Sequence, residues 1–242
     1  MTATFCAIVT AYLLGAVLLQ EAGTIEILRA IRRPVIQGGV VTALACLLLG
    51  AFHWRILLAL LLTLSIMAAI EERLPLSSGV AFFVDKSLHF AALLGLACYY
   101  PLAAQNGWWI TSLRPDLSKW YFAVLSCVSG IIVCVPAGGV LIAKLIRPFA
   151  DEIRDSGISG LTQGGRYIGW LERTLVMLLV LSDQPNGIGF LIAAKSILRF
   201  GEIKDANQRK VAEYIIIGTF LSFGWALLIS VLTQKAIRYW VQ

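Results

Sequence analysis

Three ionisable side chains stand close together near the start of an apolar segment, at Asp85, Lys86 and His89. Residues three and four positions apart lie on one side of a helix, so the three groups are expected to face the same way. Ionisable groups in a membrane helix usually face a bundle interior or a water-filled cavity, which favours an ion or proton site. Alternatively, the acid and the lysine lie in the first turn and pair with each other or with lipid headgroups.

A second candidate is the polar sequence from Ser182 to Gly187, which interrupts an apolar region between residues 174 and 194. Non-helical backbone at membrane depth is tolerated where it is buried in protein or lines a water-filled cavity. Broken helices often build ion or substrate sites, because their ends offer free carbonyl and amide groups. Asp183, Gln184 and Asn186 are therefore candidate pore-lining or gating groups. The alternative is an ordinary turn between two short helices.

The third candidate is a set of basic residues in the polar stretch 147–173 and in the basic stretch 195–210, on the predicted cytoplasmic side. Such groups can bind an anionic lipid, a nucleotide or a nucleic acid, but the usual excess of Lys and Arg in cytoplasmic loops also accounts for them. Lys195 stands four positions before Arg199 in an apolar stretch, and both can pair with the Glu172-Arg173 sequence. The candidates for an anionic ligand are Arg147, Arg154, Arg166, Arg173, Lys195 and Arg199.

No enzyme signature accompanies these candidates. The chain has no HExxH, GxSxG or Walker sequence, and its two histidines are far apart in sequence. The five cysteines lie in apolar runs without CxxC spacing, so neither a zinc site nor a redox pair is indicated. The sequence therefore predicts a protein that is not an enzyme and that needs no metal or cofactor.

The elements that must position these groups follow from composition. Hydrophobic residues make up 59% of the 242 residues and charged residues only 14%, whereas a soluble domain is about 45–50% apolar and about 25% charged. A soluble protein of this length has too little interior for that much apolar side chain. The sequence predicts an all-α fold, a polytopic transmembrane helical bundle formed by the whole chain 1–242 as a single domain, with a short cytoplasmic or interfacial subregion at about 147–210.

About six apolar runs approach or exceed the roughly 17–25 residues that cross a bilayer as a helix. Pro136 and the following glycine pair predict a kink in the fifth run, since proline removes a helix hydrogen bond and clashes with the preceding turn. The predicted spans are 4–19, 35–52, 56–70, 80–104, 120–146 and 211–233.

The orientation follows from the excess of Lys and Arg in cytoplasmic loops. With the N-terminus outside, the interrupted region 174–194 decides where the basic residues from Lys195 to Lys210 lie. A single crossing places them outside. If the region instead enters the membrane and returns to the same side, 14 of the 20 basic residues lie inside and five outside, with Lys86 in the membrane. The rule favours the return, so 174–194 is predicted to form a re-entrant or interfacial helical hairpin in a bacterial inner-membrane protein.

Three C-terminal stretches resemble an uncharacterised bacterial family of multi-pass membrane proteins, a domain of unknown function. They are GRYIGWLERTLVMLLVL at 165–181, GFLIAAKSILRFGEI at 189–203 and AEYIIIGTFLSF at 212–223. The stretch VDKSLHF at 84–90 is similar to the family's Asp-Gln-x-x-His pattern, with Lys86 where glutamine is common. The family's first helix usually carries His-x-x-x-Asp, and here those positions correspond to Tyr12 and Ala16. The resemblance implies a multi-pass membrane fold but no established activity.

Small size, the predicted topology and the basic inner surface also look like the membrane effectors of antiphage systems, which are channels controlled by a nucleotide product of a partner enzyme. The leading hypothesis is therefore an oligomeric gated channel or pore-forming effector in the lipid bilayer. Its basic cytoplasmic face would bind an anionic nucleotide, a nucleic acid or a cytosolic partner enzyme. The alternatives are a proton-coupled transporter of a small solute or lipid that uses the cluster at Asp85, and a membrane scaffold for a cytosolic enzyme.

Overall fold

The computed structural model describes residues 1–21, 32–51, 54–73, 79–112, 115–153, 163–197 and 206–242. These residues are almost entirely helical and include no strand, which confirms the predicted all-α class. The helices are α1 (Thr2–Glu21), α2 (Arg32–Leu49), α3 (Trp54–Arg73), α4 (Gly79–Tyr99), α5 (Trp108–Ser112), α6 (Pro115–Ile132), α7 (Gly138–Ile153), α8 (Gly164–Leu181), α9 (Gly187–Ile197) and α10 (Ala206–Val241), with a π-helical turn at Val133–Ala137 between α6 and α7.

Two helical stretches are long and apolar enough to cross a membrane, at Leu117–Ala150 and Val211–Val241. Other apolar helices in the described residues are shorter, and they include Thr2–Leu18, Gly38–Leu49 and Trp54–Met67. The length and composition of the two long stretches are consistent with a membrane protein.

The predicted fourth run, 80–104, is not one helix. α4 ends at Tyr99, and the chain then turns between residues 100 and 106. Pro101 explains this end, because a proline disfavours the helical conformation of the residue before it. The turn leads to Gly107, where an added Cβ would collide with the carbonyl oxygen of Leu49.

The fifth predicted span is a helix that changes its winding in the middle. The π-helical turn Val133–Ala137 contains Pro136, which lacks the N–H that a regular helix would use there. The sequence therefore located the irregularity correctly, and the structure shows that it takes the form of a wider turn.

The described residues form two compact units. The first comprises Met1–Ile132 and Lys235–Gln242, and α1 packs there against α2, α4 and α6. Polar groups also join its helices: Thr10 Oγ1 lies 2.7 Å from Ser129 Oγ of α6. Hydroxyl contacts of this kind are typical of helices that associate inside a bilayer.

The second unit, Val133–Gln234, holds the π-helical turn, α7, α8, α9 and most of α10. α7 runs antiparallel to α10, with Ile146 near Gly218 and the turn near Trp225. α8 runs in the same direction as α10. The buried core of the second unit includes Cys134, Val176, Met177, Phe223 and Ala226.

The interrupted region forms a helical hairpin. α8 ends at Leu181, and α9 begins at Gly187 and returns along α8. Gly187 lies against the side chain of Leu179 near the turn. Farther along, the Lys195 ammonium lies 2.6 Å from a carboxylate oxygen of Glu172. The predicted break between Ser182 and Gly187 is thus the turn of an antiparallel hairpin.

Candidate functional site

A buried arginine stands at the centre of the second unit. Arg173 of α8 is only 4% exposed. Its Nε and Nη2 donate to the carbonyl oxygen of Val135 in the π-helical turn, at 3.2 and 3.1 Å. Its Nη1 donates to the Ser222 hydroxyl of α10 at 3.0 Å. The guanidinium thus joins three helical elements through hydrogen bonds to neutral oxygen atoms.

The π-helical turn supplies more than one acceptor. The indole N–H of Trp225 donates to the carbonyl oxygen of Val133 at 3.0 Å. Within one irregular turn, therefore, two backbone carbonyl groups accept hydrogen bonds from side chains of neighbouring helices. Wide helical turns frequently mark functional sites.

Three glycines make room for these two large side chains. A Cβ at Gly138 would collide with the Trp225 indole, and one at Gly139 would lie 2.9 Å from Nη2 of Arg173. A Cβ at Gly169 would lie 3.1 Å from Nη1 of the same guanidinium. In contrast, a Cβ at Gly165 would meet no atom within 4 Å. Of the Gly165-x-x-x-Gly169 pair, only the second glycine is needed for a close approach.

Beside the guanidinium lies an ion pair in the α8–α9 hairpin. The Lys195 ammonium lies 2.6 and 2.8 Å from the two carboxylate oxygens of Glu172, which confirms the predicted pairing of these residues. The side chains are 18% exposed at the acid and 21% at the lysine. The ammonium also lies 5.9 Å from the ring centroid of Phe223, where a cation–π attraction helps to hold it.

The turn between α8 and α9 carries three of the predicted pore or gating residues, and Asp183, Gln184 and Asn186 are all exposed. Asp183 has a φ of 56°, a left-handed conformation that aspartate tolerates better than most residues. The amide Nε2 of Gln234 in α10 donates to Asp183 Oδ1 at 2.9 Å and to the carbonyl oxygen of Val180 at 2.8 Å. Gln234 therefore fixes the turn to the C-terminal part of α10.

The ionisable cluster of α4 lies in the first unit. Lys86 Nζ lies 2.7 Å from Asp85 Oδ2, so the two residues pair with each other as the alternative expected. They do not lie in the first turn of the helix, however, because α4 already begins at Gly79. His89 is 2% exposed, and its Nδ1 lies 2.9 Å from the backbone oxygen of Asp85. Because a carbonyl can only accept, Nδ1 carries a hydrogen. The His89 ring stacks on Tyr12 of α1 at 5.5 Å, so the structure joins two positions that the family resemblance had singled out.

The basic candidates do not share one environment. Arg147 and Arg166 are exposed, and the Arg166 guanidinium lies 4.6 Å from the ring centroid of Trp170. Arg173 is buried, so it does not belong to an exposed basic surface as the sequence had suggested. Three of the five N–H groups of its guanidinium donate to Val135 and Ser222. Arg154 and Arg199 lie outside the described residues.

Sequence reasoning missed the partners of Arg173. Ser222 and Trp225 look like ordinary residues of an apolar span, and the carbonyl groups of the π-helical turn have no signature of their own. The available signal was the combination of Pro136, the glycine pair after it and Gly169. Among the described residues, no group of three His, Cys, Asp or Glu side chains could hold a metal ion. Comparisons with protein-family models, curated proteins and solved structures find no match to this chain.

Proposed function

We propose that this chain is a polytopic protein of the bacterial inner membrane that works as an oligomeric gated channel, with about six spans and the α8–α9 hairpin entering from the cytoplasmic side. The observation that carries the proposal is the charged cluster of Glu172, Arg173 and Lys195 within apolar helices. Its depth follows from the lengths of the helices that hold it.

The first length is that of the hairpin. Its turn is bonded to Gln234, the first polar residue after the predicted span 211–233. Glu172 precedes the turn by ten residues and Lys195 follows Gly187 by eight, which correspond to about 15 and about 12 Å at about 1.5 Å per residue. The hydrocarbon core is about 30 Å thick. The ion pair would therefore lie near the middle of the membrane.

The other two lengths agree with the first. Ser222, which accepts a hydrogen bond from Arg173, is the central residue of the predicted span 211–233. The π-helical turn Val133–Ala137 lies at the centre of the long apolar stretch Leu117–Ala150. Both support a position for the guanidinium near the midplane.

Ionisable groups at this depth pair with one another or face a bundle interior or a water-filled cavity. The Glu172 carboxylate and the Lys195 ammonium bind each other, yet both side chains remain about one fifth exposed. In a bilayer, that exposure favours contact with a water-filled path. Moreover, α9 has no buried residue within one copy of the chain, which supports a neighbouring copy as its cover.

The exposed Arg147 and Arg166 support the proposed regulation. Both lie at the cytoplasmic end in the proposed orientation, where an anionic nucleotide, a nucleic acid or a partner enzyme could bind. A role in antiphage defence and membership of the uncharacterised multi-pass family are parts of the same proposal. They rest on the C-terminal sequence resemblance and on the analogy of size and topology.

Ion flux in liposomes tests the channel. Wild-type protein should release trapped ions when a panel of nucleotides or short nucleic acids is added, and Asp183→Ala should change the rate, because it weakens the attachment of the turn to α10. If wild type and Asp183→Ala are equally silent with every ligand of the panel, the proposed function is wrong.

The hairpin orientation has a separate test by cysteine labelling. In a background in which the five native cysteines are replaced, Gln163→Cys should react with a membrane-impermeant maleimide only from the cytoplasmic side, because Gln163 precedes α8. Asn186→Cys should react only from the opposite side, because it lies in the turn. Labelling of both positions from one side would contradict the deep insertion of the hairpin.

A proton-coupled transporter is the second candidate, and the cluster of Asp85, Lys86 and His89 favours it. The stacking of His89 on Tyr12 gives this cluster a defined position between α1 and α4. A transporter predicts pH-linked uptake of a small solute or lipid that Asp85→Asn abolishes. A scaffold for a cytosolic enzyme would instead co-purify with a partner and show no ion flux at all.

A further inference from the structure

The charges in the centre of the second unit do not cancel. Arg173 donates to Val135 and Ser222, and both acceptors are neutral. Among the described residues, no carboxylate forms an ion pair with its guanidinium, and the neighbouring Glu172 pairs with Lys195. The three ionisable groups therefore carry one negative and two positive charges, which leaves a net charge of +1.

This excess charge is held in place rather than mobile. The guanidinium is 4% exposed and makes three hydrogen bonds, so it cannot turn toward an aqueous surface as a long flexible side chain would. The ion pair between Lys195 and Glu172, the residue before Arg173, is partly exposed. An ion that reaches Glu172 and Lys195 would experience a fixed positive charge behind them.

We propose that the permeant ion of this channel is an anion, selected by the net positive charge of Glu172, Arg173 and Lys195 in the α8–α9 hairpin. The inference rests on the proposed function and deepens it. At an effective dielectric constant of about 20, one unit charge about 10 Å away changes the local concentration of an ion by on the order of tenfold. The shift is opposite for anions and cations, so one such charge per copy is enough to make anions the main carriers.

The ion pair allows the charge to be changed without touching Arg173, whose removal would break the hydrogen bonds that join three helical elements. Lys195→Gln lowers the net charge of the cluster to zero, and Glu172→Gln raises it to +2. The double variant Glu172→Gln/Lys195→Gln has no ion pair but keeps the net charge of +1. These three variants separate the effect of charge from the effect of the ion pair itself.

The measurement is the reversal potential of purified wild type and variants in planar bilayers, under a tenfold gradient of potassium chloride. Wild type should show preference for chloride. Lys195→Gln should reduce the chloride-to-potassium permeability ratio by on the order of tenfold, and Glu172→Gln should raise it. In the double variant the ratio should return toward the wild-type value. Lys119→Gln, which removes an exposed lysine of α6, provides a control with the same change in charge.

The outcomes distinguish the two proposals. If the wild type conducts but prefers potassium, the inference is wrong, whereas the proposed channel function stands. The same holds if Lys119→Gln and Lys195→Gln change the chloride-to-potassium permeability ratio equally. A low ratio in both the single Lys195→Gln variant and the double variant would also overturn it, because the ion pair and not the net charge would then set the selectivity. If the wild type does not conduct in the presence of any ligand of the panel, the proposed function is wrong, and the inference fails with it.

Discussion

The substitution Gly139→Ala tests whether the guanidinium of Arg173 lies against Gly139. Gly139 follows the π-helical turn, and a Cβ at this position would lie 2.9 Å from Arg173 Nη2 and 3.4 Å from the indole nitrogen of Trp170. A carbon atom so close to Nη2 forces a movement. The guanidinium cannot yield freely, because Val135 and Ser222 hold it through three hydrogen bonds.

The expected loss of stability follows from the hydrogen bond of Arg173 Nη2 that must break. Displacement of Nη2 loses one hydrogen bond to a charged donor, which is worth about 1.5–3 kcal/mol. Alanine for glycine in a helix gains about 1 kcal/mol in the opposite direction. Gly224→Ala in α10 provides the matched control, since its Cβ would meet no atom within 4 Å. The gain is common to both variants, so the free energies of unfolding should differ by about 1.5–3 kcal/mol.

Thermal unfolding of the detergent-solubilised protein, followed by tryptophan fluorescence, measures this difference. One kcal/mol shifts the Tm by about 2–4 °C for a chain of this length, so Gly139→Ala should unfold about 3–12 °C below Gly224→Ala. Equal Tm values for the two variants would refute the reasoning, because the space beside Gly139 would then be free of the guanidinium.

Two further predictions concern the turn and the first unit. Asp183→Ala should lower the free energy of unfolding by about 1–3 kcal/mol, because alanine is unfavourable at positive φ and cannot accept the hydrogen bond from Gln234. Asp183→Asn, which tolerates this conformation and keeps an acceptor, should stay within about 0.5 kcal/mol of wild type in the same thermal assay. Tyr12→Ala should cost about 3–5 kcal/mol, because it empties a buried site beside His89. Tyr12→Phe keeps the stacked ring and should cost about 1 kcal/mol or less, and a loss as large as that of Tyr12→Ala would contradict the stacking.

The sequence by itself determined the helical class and the places where helices are interrupted. Its long apolar runs favoured helices, which satisfy their own backbone hydrogen bonds. Pro136 marked the irregular turn because proline removes a backbone donor wherever it stands in a helix. The polar residues from Ser182 to Gly187 marked the hairpin turn for a similarly local reason.

Only the tertiary structure decided which polar groups meet. Arg173 looked like one more cytoplasmic arginine, because the charge pattern of a sequence does not show which side of a helix is covered by its neighbours. Its burial depends on the carbonyl group of Val135, 38 residues earlier, and on the hydroxyl group of Ser222, 49 residues later. Contacts across such distances in sequence arise from the packing of whole helices, and the same packing leaves Glu172 and Lys195 as the partly exposed pair beside a fixed positive charge.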